Sequence, residues 1–249
     1  MKILDGAFGS LLSNRANFYT ENRNSSLFLY HNLDIDAKIH EHYALAGADI
    51  LSAHTFSLYG ESSEIRDAVV ELSKSARHVA DKYNKEVALS LAPGCDYANL
   101  INLALPYIDY ILLETFTSIN ELEDAISECL LFDKPIIACM VFGPHFSYDG
   151  LSVFEYFTRI GFYTEYIGFN CLTLSDLESL LPQTLGHDYQ IVTQPNIGIP
   201  TIGEEISYPQ FPMDKYQQLI KQYNIQLAGL CCGSTPQHIQ QLYYSLKVE

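Results

Sequence analysis

The chain has 249 residues, 48% of them apolar and 18% charged, which is material for a large core. Its formal charge of -16 (30 Asp plus Glu against 14 Lys plus Arg) repels a phosphate backbone, and no basic stripe interrupts it, so nucleic acid is not an expected partner. No apolar stretch approaches the ~18 residues that span a bilayer, and Met1-Lys2-Ile3-Leu4-Asp5 reaches a carboxylate too soon for a signal peptide. The expectation is a soluble, cytoplasmic protein without membrane contact. Its six cysteines should then be buried, metal-bound or reactive, not paired in disulfides.

In chain order, short apolar runs alternate with longer segments of helical spacing. The strand candidates are 2–4, 49–54, 87–92, 109–114, 135–141, 166–170, 190–194 and 227–231. Tyr110-Ile111-Leu112-Leu113 and Ile136 through Val141 are nearly continuous apolar runs, which suit parallel strands buried on both faces. Helical spacing covers 36–46, 63–83, 97–104, 119–131, 151–162, 174–181, 213–223 and 236–246, with Gly47 as a stop. Ser118, Thr173 and Ser234 or Thr235 are N-cap candidates. Eight strand–helix units predict a closed (β/α)8 TIM barrel, one domain over residues 1–249. An open doubly wound sheet fits less well, because no Gly-x-Gly-x-x-Gly follows the first strand.

Catalytic groups in such barrels project from the carboxyl ends of the strands. There the sequence places Asp5, His54-Thr55, Pro93, Glu114, Asn170-Cys171, Gln194 to Asn196 and Cys231-Cys232. Three thiolates from the sixth and eighth run-ends, with no fourth protein ligand in view, describe a zinc site with one open position. Adjacent residues on a strand point to opposite faces, so Cys231 and Cys232 need a bend, which Gly233 makes cheap. Against this stands the ordinary fate of a free cysteine as core filler, to which Cys95, Cys129 and Cys139 are assigned. His54 is either a fourth ligand or a hydrogen-bonded packing residue. His40, His42, His78, His187 and His238 read as helix or loop surface. Asp5 either caps a helix or serves the site. Glu114 ends an apolar strand, where an unpaired charge is costly, so it calls for a cationic partner such as a substrate ammonium.

These residues resemble the homocysteine S-methyltransferase family of zinc-thiolate barrels. The matching segments are Asp5 to Ser10, His42-Tyr43, Ala46 to Ile50, Thr55-Phe56 and Glu114-Thr115-Phe116. Asp149-Gly150, Gly168-Phe169-Asn170-Cys171, Pro195 to Gly198 and Cys231-Cys232-Gly233-Ser234-Thr235-Pro236 complete the set. The resemblance implies that Cys171, Cys231 and Cys232 hold Zn2+ and that homocysteine sulfur takes the open position. It implies that Asp5 and Glu114 meet the substrate ammonium, that backbone N–H groups near Gly6 meet its carboxylate, and that Thr55 and Asn196 lie close to the pocket. The implied activity is methyl transfer from an activated donor, S-methylmethionine or S-adenosylmethionine in first place, to give methionine. Alternatives are the homocysteine-activating subunit of a split synthase served by a corrinoid protein, and a non-catalytic zinc or homocysteine binder. The chain departs from the family in its short segment Ala92 to Asp96, in Phe28 where many members carry Trp, and in Leu230 where Gly is usual. The absence of Trp weakens a betaine cage.

Overall fold

The computed structural model describes residues 1–13, 24–198, 201–202 and 206–247. Among them eight parallel strands form the barrel: β1 (Lys2–Ile3), β2 (Ile50–Ala53), β3 (Glu86–Leu91), β4 (Tyr110–Phe116), β5 (Ile136–Met140), β6 (Tyr166–Asn170), β7 (Ile191–Gln194) and β10 (Leu227–Ala228). A small antiparallel pair, β8 (Thr201–Ile202) with β9 (Ile206–Ser207), lies outside it. Each strand neighbours the next in sequence, and β10 returns beside β1 with Lys2 opposite Leu227. Closure is made by the Leu4–Ile50 bridge and by Asp49 N–H donating to Ile3 O at 2.7 Å.

The helices are α1 (Gly9–Ser13), α2 (Ser25–Tyr30), α3 (Leu33–Ala46), α4 (Ser63–Tyr83), α5 (Tyr97–Ala104), α6 (Ile119–Cys129), α7 (Val153–Ile160), α8 (Leu174–Leu180), α9 (Met213–Gln222) and α10 (Pro236–Lys247). Expected spans agree to within about three residues, and α4 and α5 agree fully. Ser118 and Thr173 cap α6 and α8, accepting from Glu121 N and Asp176 N. Ser234 does otherwise: its hydroxyl accepts from Ala7 N at 2.8 Å, which ties the last barrel loop to the first.

Two apolar layers follow from the period of two along each strand. One lies between strands and helices; the other fills the barrel with Leu4, Ile50, Ala88, Leu112, Ile137, Cys139, Val192 and Leu227 among others. Two residues further on, the same inward parity yields Ser52 after Ile50, Ser90 after Ala88, Glu114 after Leu112 and Gln194 after Val192. A polar tier therefore sits directly on the apolar plug, at the carboxyl ends of the strands. Alternation alone generates the floor of the site.

Candidate functional site

The three cysteines meet. Cys171 follows the last residue of β6 and turns into the left-handed region at φ +56, its N–H held by Gln194 O at 3.1 Å. β10 ends at Ala228, three residues earlier than the run 227–231 suggests, because the chain must bend to bring two adjacent thiols to one side. Ser234 N–H returns to Cys231 O at 3.1 Å, closing a β-turn whose third residue, Gly233, has φ +83. That position demands glycine. Asn196 Oδ1 accepts from Cys232 N at 3.1 Å and Ser10 Oγ from Gly233 N at 2.8 Å, which fixes the turn from outside.

Cys171 Sγ lies 2.9 Å from Cys231 Sγ and 3.7 Å from Cys232 Sγ, and all three sulfurs fall within 4.8 Å of one another. Ligands of a tetrahedral zinc at ~2.3 Å stand roughly 3.8 Å apart, so one separation already matches an edge and the other is contracted. Three soft sulfur donors with no fourth protein donor in the cluster among the described residues fit a zinc ion with an open position. The thiols also crowd one another electrostatically. Cys232 accepts from both neighbours and is held down at about 3. Cys171 is pushed up to about 12, its bond with Cys231 being outweighed by Cys232 and burial.

Beside the sulfurs opens a cavity of about 400 Å³, lined by both carboxyls, the three cysteines, the loop from Gly6 to Ser10, and Phe56 and Leu230. Among the described residues lining it, none is Lys, Arg or His. Burial pushes Asp5 up to about 6 even though Ser52 donates to it twice, from N at 2.8 Å and Oγ at 2.7 Å. Burial likewise raises Glu114 to about 7, with the negative charges of Asp5 and Cys232 adding to it and bonds from Ser90 (2.5 Å) and Asn170 (3.4 Å) opposing. Three thiols and two carboxyls can carry only negative charge, and none of the described lining residues opposes it. Such a lining favours cations over anions.

Just after Leu113 the ladder is irregular: the register of β4 with β5 shifts between Leu113 and Phe116, around Glu114. Thr115 sits there at φ +66, a strained conformation for a β-branched residue. Asn170 holds it: Oδ1 accepts from Thr115 N at 2.9 Å and Nδ2 donates to Thr115 Oγ1 at 3.0 Å. One asparagine, the residue before Cys171, thus braces both the Glu114 carboxyl and Thr115.

The other expected positions divide. Gly6 lines the cavity, and a Cβ there would fall 2.4 Å from Ser234 Oγ, so the loop's close approach requires glycine. The neighbouring Ala7 N–H is engaged by Ser234. Thr55 turns away, its hydroxyl donating to Ser90 O at 2.7 Å, and Asn196 supports the Cys232 turn from behind. Neither lines the cavity. Asp5 caps no helix; it binds Ser52. His54 is remote from the sulfur cluster in bonding: Nδ1 pairs with Asp36 Oδ1 at 2.6 Å. His40, expected on the surface, is fully buried against it. Ser52, Ser90 and Gln194 escaped notice, although their inward parity was readable once the strands were placed.

The sequence profile described as Homocysteine S-methyltransferase matches residues 2–246. The chain belongs to that family. It is 25% identical over 252 residues to the methionine synthase of Mycobacterium tuberculosis (strain ATCC 25618 / H37Rv), and 24% over 251 residues to that of Mycobacterium leprae (strain TN). Each alignment covers 84% of this chain but 21% of the relative, so the chain spans about a fifth of those proteins. The apo form of the homocysteine methyltransferase MmuM from Escherichia coli shares the fold with TM-score 0.79 at 19% identity, covering 98% of this chain and 95% of that one. Its metallated form matches with TM-score 0.77 at 16% identity over 97% and 95%. The fold is that of a TIM-barrel homocysteine methyltransferase.

Proposed function

We propose that this protein is a single barrel domain that transfers a methyl group from an activated donor to the thiolate of homocysteine, forming methionine with the help of zinc. The observation that carries the reading is the convergence of three thiols and two carboxyls on one cavity without a basic side chain in its described lining. Cys171, Cys231 and Cys232 would hold the ion. When bound, zinc supplies the charge that keeps an alkyl thiol deprotonated near neutral pH, where its own pKa of about 8.5 or above leaves it mostly protonated.

The chain's residues do the rest. Asp5 and Glu114 receive the amino acid's ammonium, which relieves the cost of ionising either in a buried place. Gly6 keeps the first loop thin enough to admit the ligand's backbone. Phe8, Phe56 and Leu230 supply apolar wall that excludes water from the reacting atoms. The substrate sulfur's lone pair forms the new S–C bond as the donor–methyl bond breaks in line, and the electron pair leaves with the donor. A sulfonium donor departs as a neutral thioether, so no general acid or base takes part in the transfer, and positioning carries much of the rate.

S-Methylmethionine and S-adenosylmethionine are the favoured donors, because a cationic sulfonium suits an acidic, tryptophan-free chain. A second reading is favoured by the lengths of the relatives: as a fifth of a methionine synthase, the chain would take its methyl group from a separate corrinoid protein. The deciding experiment gives zinc-replete protein homocysteine with each sulfonium donor, betaine, or a methylated corrinoid protein, and reads methionine by mass. Turnover with a sulfonium donor alone is expected. Methionine only with the corrinoid protein selects the second reading, and none from any donor overturns both.

A further inference from the structure

The amino-terminal end of the barrel, opposite the cavity, carries an apolar surface that the core does not absorb. Strands β5, β6 and β7 are consecutive neighbours, so the three segments that enter them, 130–135, 160–164 and 181–190, lie side by side. On these segments stand Leu130, Leu131, Phe162, Tyr163 and Leu185, with Phe154 of α7 adjoining them. Each is half or more exposed, Phe162 most of all at 84%. Hydrogen bonds at the strand entries hold the segments edge to edge: Glu165 N donates to Ile136 O at 2.8 Å and Ile167 N to Gln190 O at 2.9 Å. The His187 ring, two residues after Leu185, stands 5.4 Å from the rings of both Phe154 and Phe157. Tyr189 covers Gly161, beside Phe162, so closely that a Cβ there would fall 2.6 Å from its ring.

We propose that this face is the docking surface for a second copy of the chain, two barrels pairing about a two-fold axis with both cavities left open.

Size is the first argument. A fully exposed side chain of this kind presents roughly 200 Å², so the six together present about 800 Å². That exceeds the roughly 300–600 Å² of the largest apolar patch on a typical monomer, and it reaches the ~800 Å² per partner of a stable interface. Charge is the second. Residues 130–135, 160–164 and 181–187 hold one acid and one base, Asp133 and Lys134, in a chain whose formal charge is -16. A second copy brings the same net charge, and a neutral face lets it approach without net repulsion, whereas a basic partner is drawn to the acidic remainder. Glu128, Glu165 and Asp188 flank the apolar segments as a polar rim. That rim is acidic on both copies, so salt should tighten the pair, the reverse of its effect on a basic partner. Position is the third. The cysteines and carboxyls stand at the carboxyl ends of the strands, so pairing at the opposite end covers neither cavity.

The test is molar mass by sedimentation equilibrium on the whole chain, from low to high micromolar concentration and at low and high salt. Wild type should reach twice the 28.1 kDa of one chain, at lower concentration when salt is high. Leu131→Asp combined with Phe162→Asp should stay at the single-chain mass with an unchanged circular dichroism spectrum, since both positions are exposed. Wild type at the single-chain mass throughout overturns the proposal, even where the face then binds a different protein. A doubled mass that survives both aspartates overturns it too, as does a mass that climbs past two chains, because a two-fold pairing closes at two. Hydrogen exchange gives a reading without variants: amides in 130–135 and 160–164 should slow as the pair forms, and unchanged rates there in a doubled species overturn the assignment of the face. Methyl transfer is not the readout, so failure here leaves the proposed activity untouched.

Discussion

Glu114→Gln separates the cost of the site from its use. In the folded chain Glu114 is raised from its ordinary 4.5 to about 7, chiefly by burial. At about 1.4 kcal/mol for each pH unit, ionising it in place costs about 3 kcal/mol. The folded value lies above the unfolded one, so stability is fully present below about pH 4.5 and is lost as pH rises through about 7. Glutamine keeps an oxygen to accept from Ser90 and cannot ionise. The stability difference should therefore move in the variant's favour by about 3 kcal/mol between pH 4 and pH 8. Urea unfolding of reduced, chelator-treated protein, followed by circular dichroism across that range, measures it. A difference that stays flat, or that shifts toward wild type as pH rises, would refute the assignment of a desolvated acid at the cavity floor. The same substitution should raise KM for homocysteine roughly 100-fold, since an ammonium left without its buried carboxylate costs about 2–5 kcal/mol.

Cys232→Ser should abolish both zinc retention at the cysteine cluster and turnover, read by metal analysis and methionine formation; a variant that retains either would break the link between them. Asn170→Ala removes the brace on Thr115 and Glu114, and should cost about 1–3 kcal/mol in urea unfolding together with a fall in kcat. Gly6→Ala forces its methyl against Ser234 Oγ, so the loop must shift; KM for homocysteine should rise at least about tenfold with zinc content unchanged. Because Asp5 and Glu114 are raised to about 6 and about 7, protonation below that range removes the anions that receive the ammonium. KM for homocysteine should accordingly climb as pH falls from 7 to 5, and a profile flat over that window would contradict their role.

Much of the barrel was legible because its strands are buried on both faces and so read as apolar runs, as Ile136 through Met140 do. The end of the last run was not. Apolar Leu230 extends the pattern past Ala228, and Gly229 N and Cys231 N still donate to Thr193 O and Pro195 O, but the turn that Ser234 N closes on Cys231 O takes the chain out of regular strand geometry. The thiols could be read from their places at strand ends. The carboxyl-bearing tier could be read only in part: Glu114 announces itself by charge, whereas Ser52, Ser90 and Gln194 are ordinary residues until the strand register assigns them to the inside. His40 was misplaced for a related reason. On a helix whose outward face also carries His42, period alone does not reveal which imidazole meets a second element, and its neighbour His54 lies 14 positions away across a strand.

The site's chemistry and its instability have one origin. Asp5, Glu114 and the cysteines share a cavity, and each negative charge raises the cost of the next, as the effects of Asp5 and Cys232 on Glu114 record. A chain optimised for stability alone would place neutral side chains on this tier, which the inward parity of β2 to β4 would accept without change of fold. Under the proposed function, keeping acids there is a demand of the ligands, and it makes their binding mutually supportive. An ion at the sulfurs lowers the electrostatic cost of ionising Glu114, and an ionised Glu114 is what the incoming ammonium requires. By linkage the dependence runs both ways. Homocysteine should bind more tightly to zinc-loaded protein by more than its sulfur contact supplies, and part of that excess should vanish in Glu114→Gln.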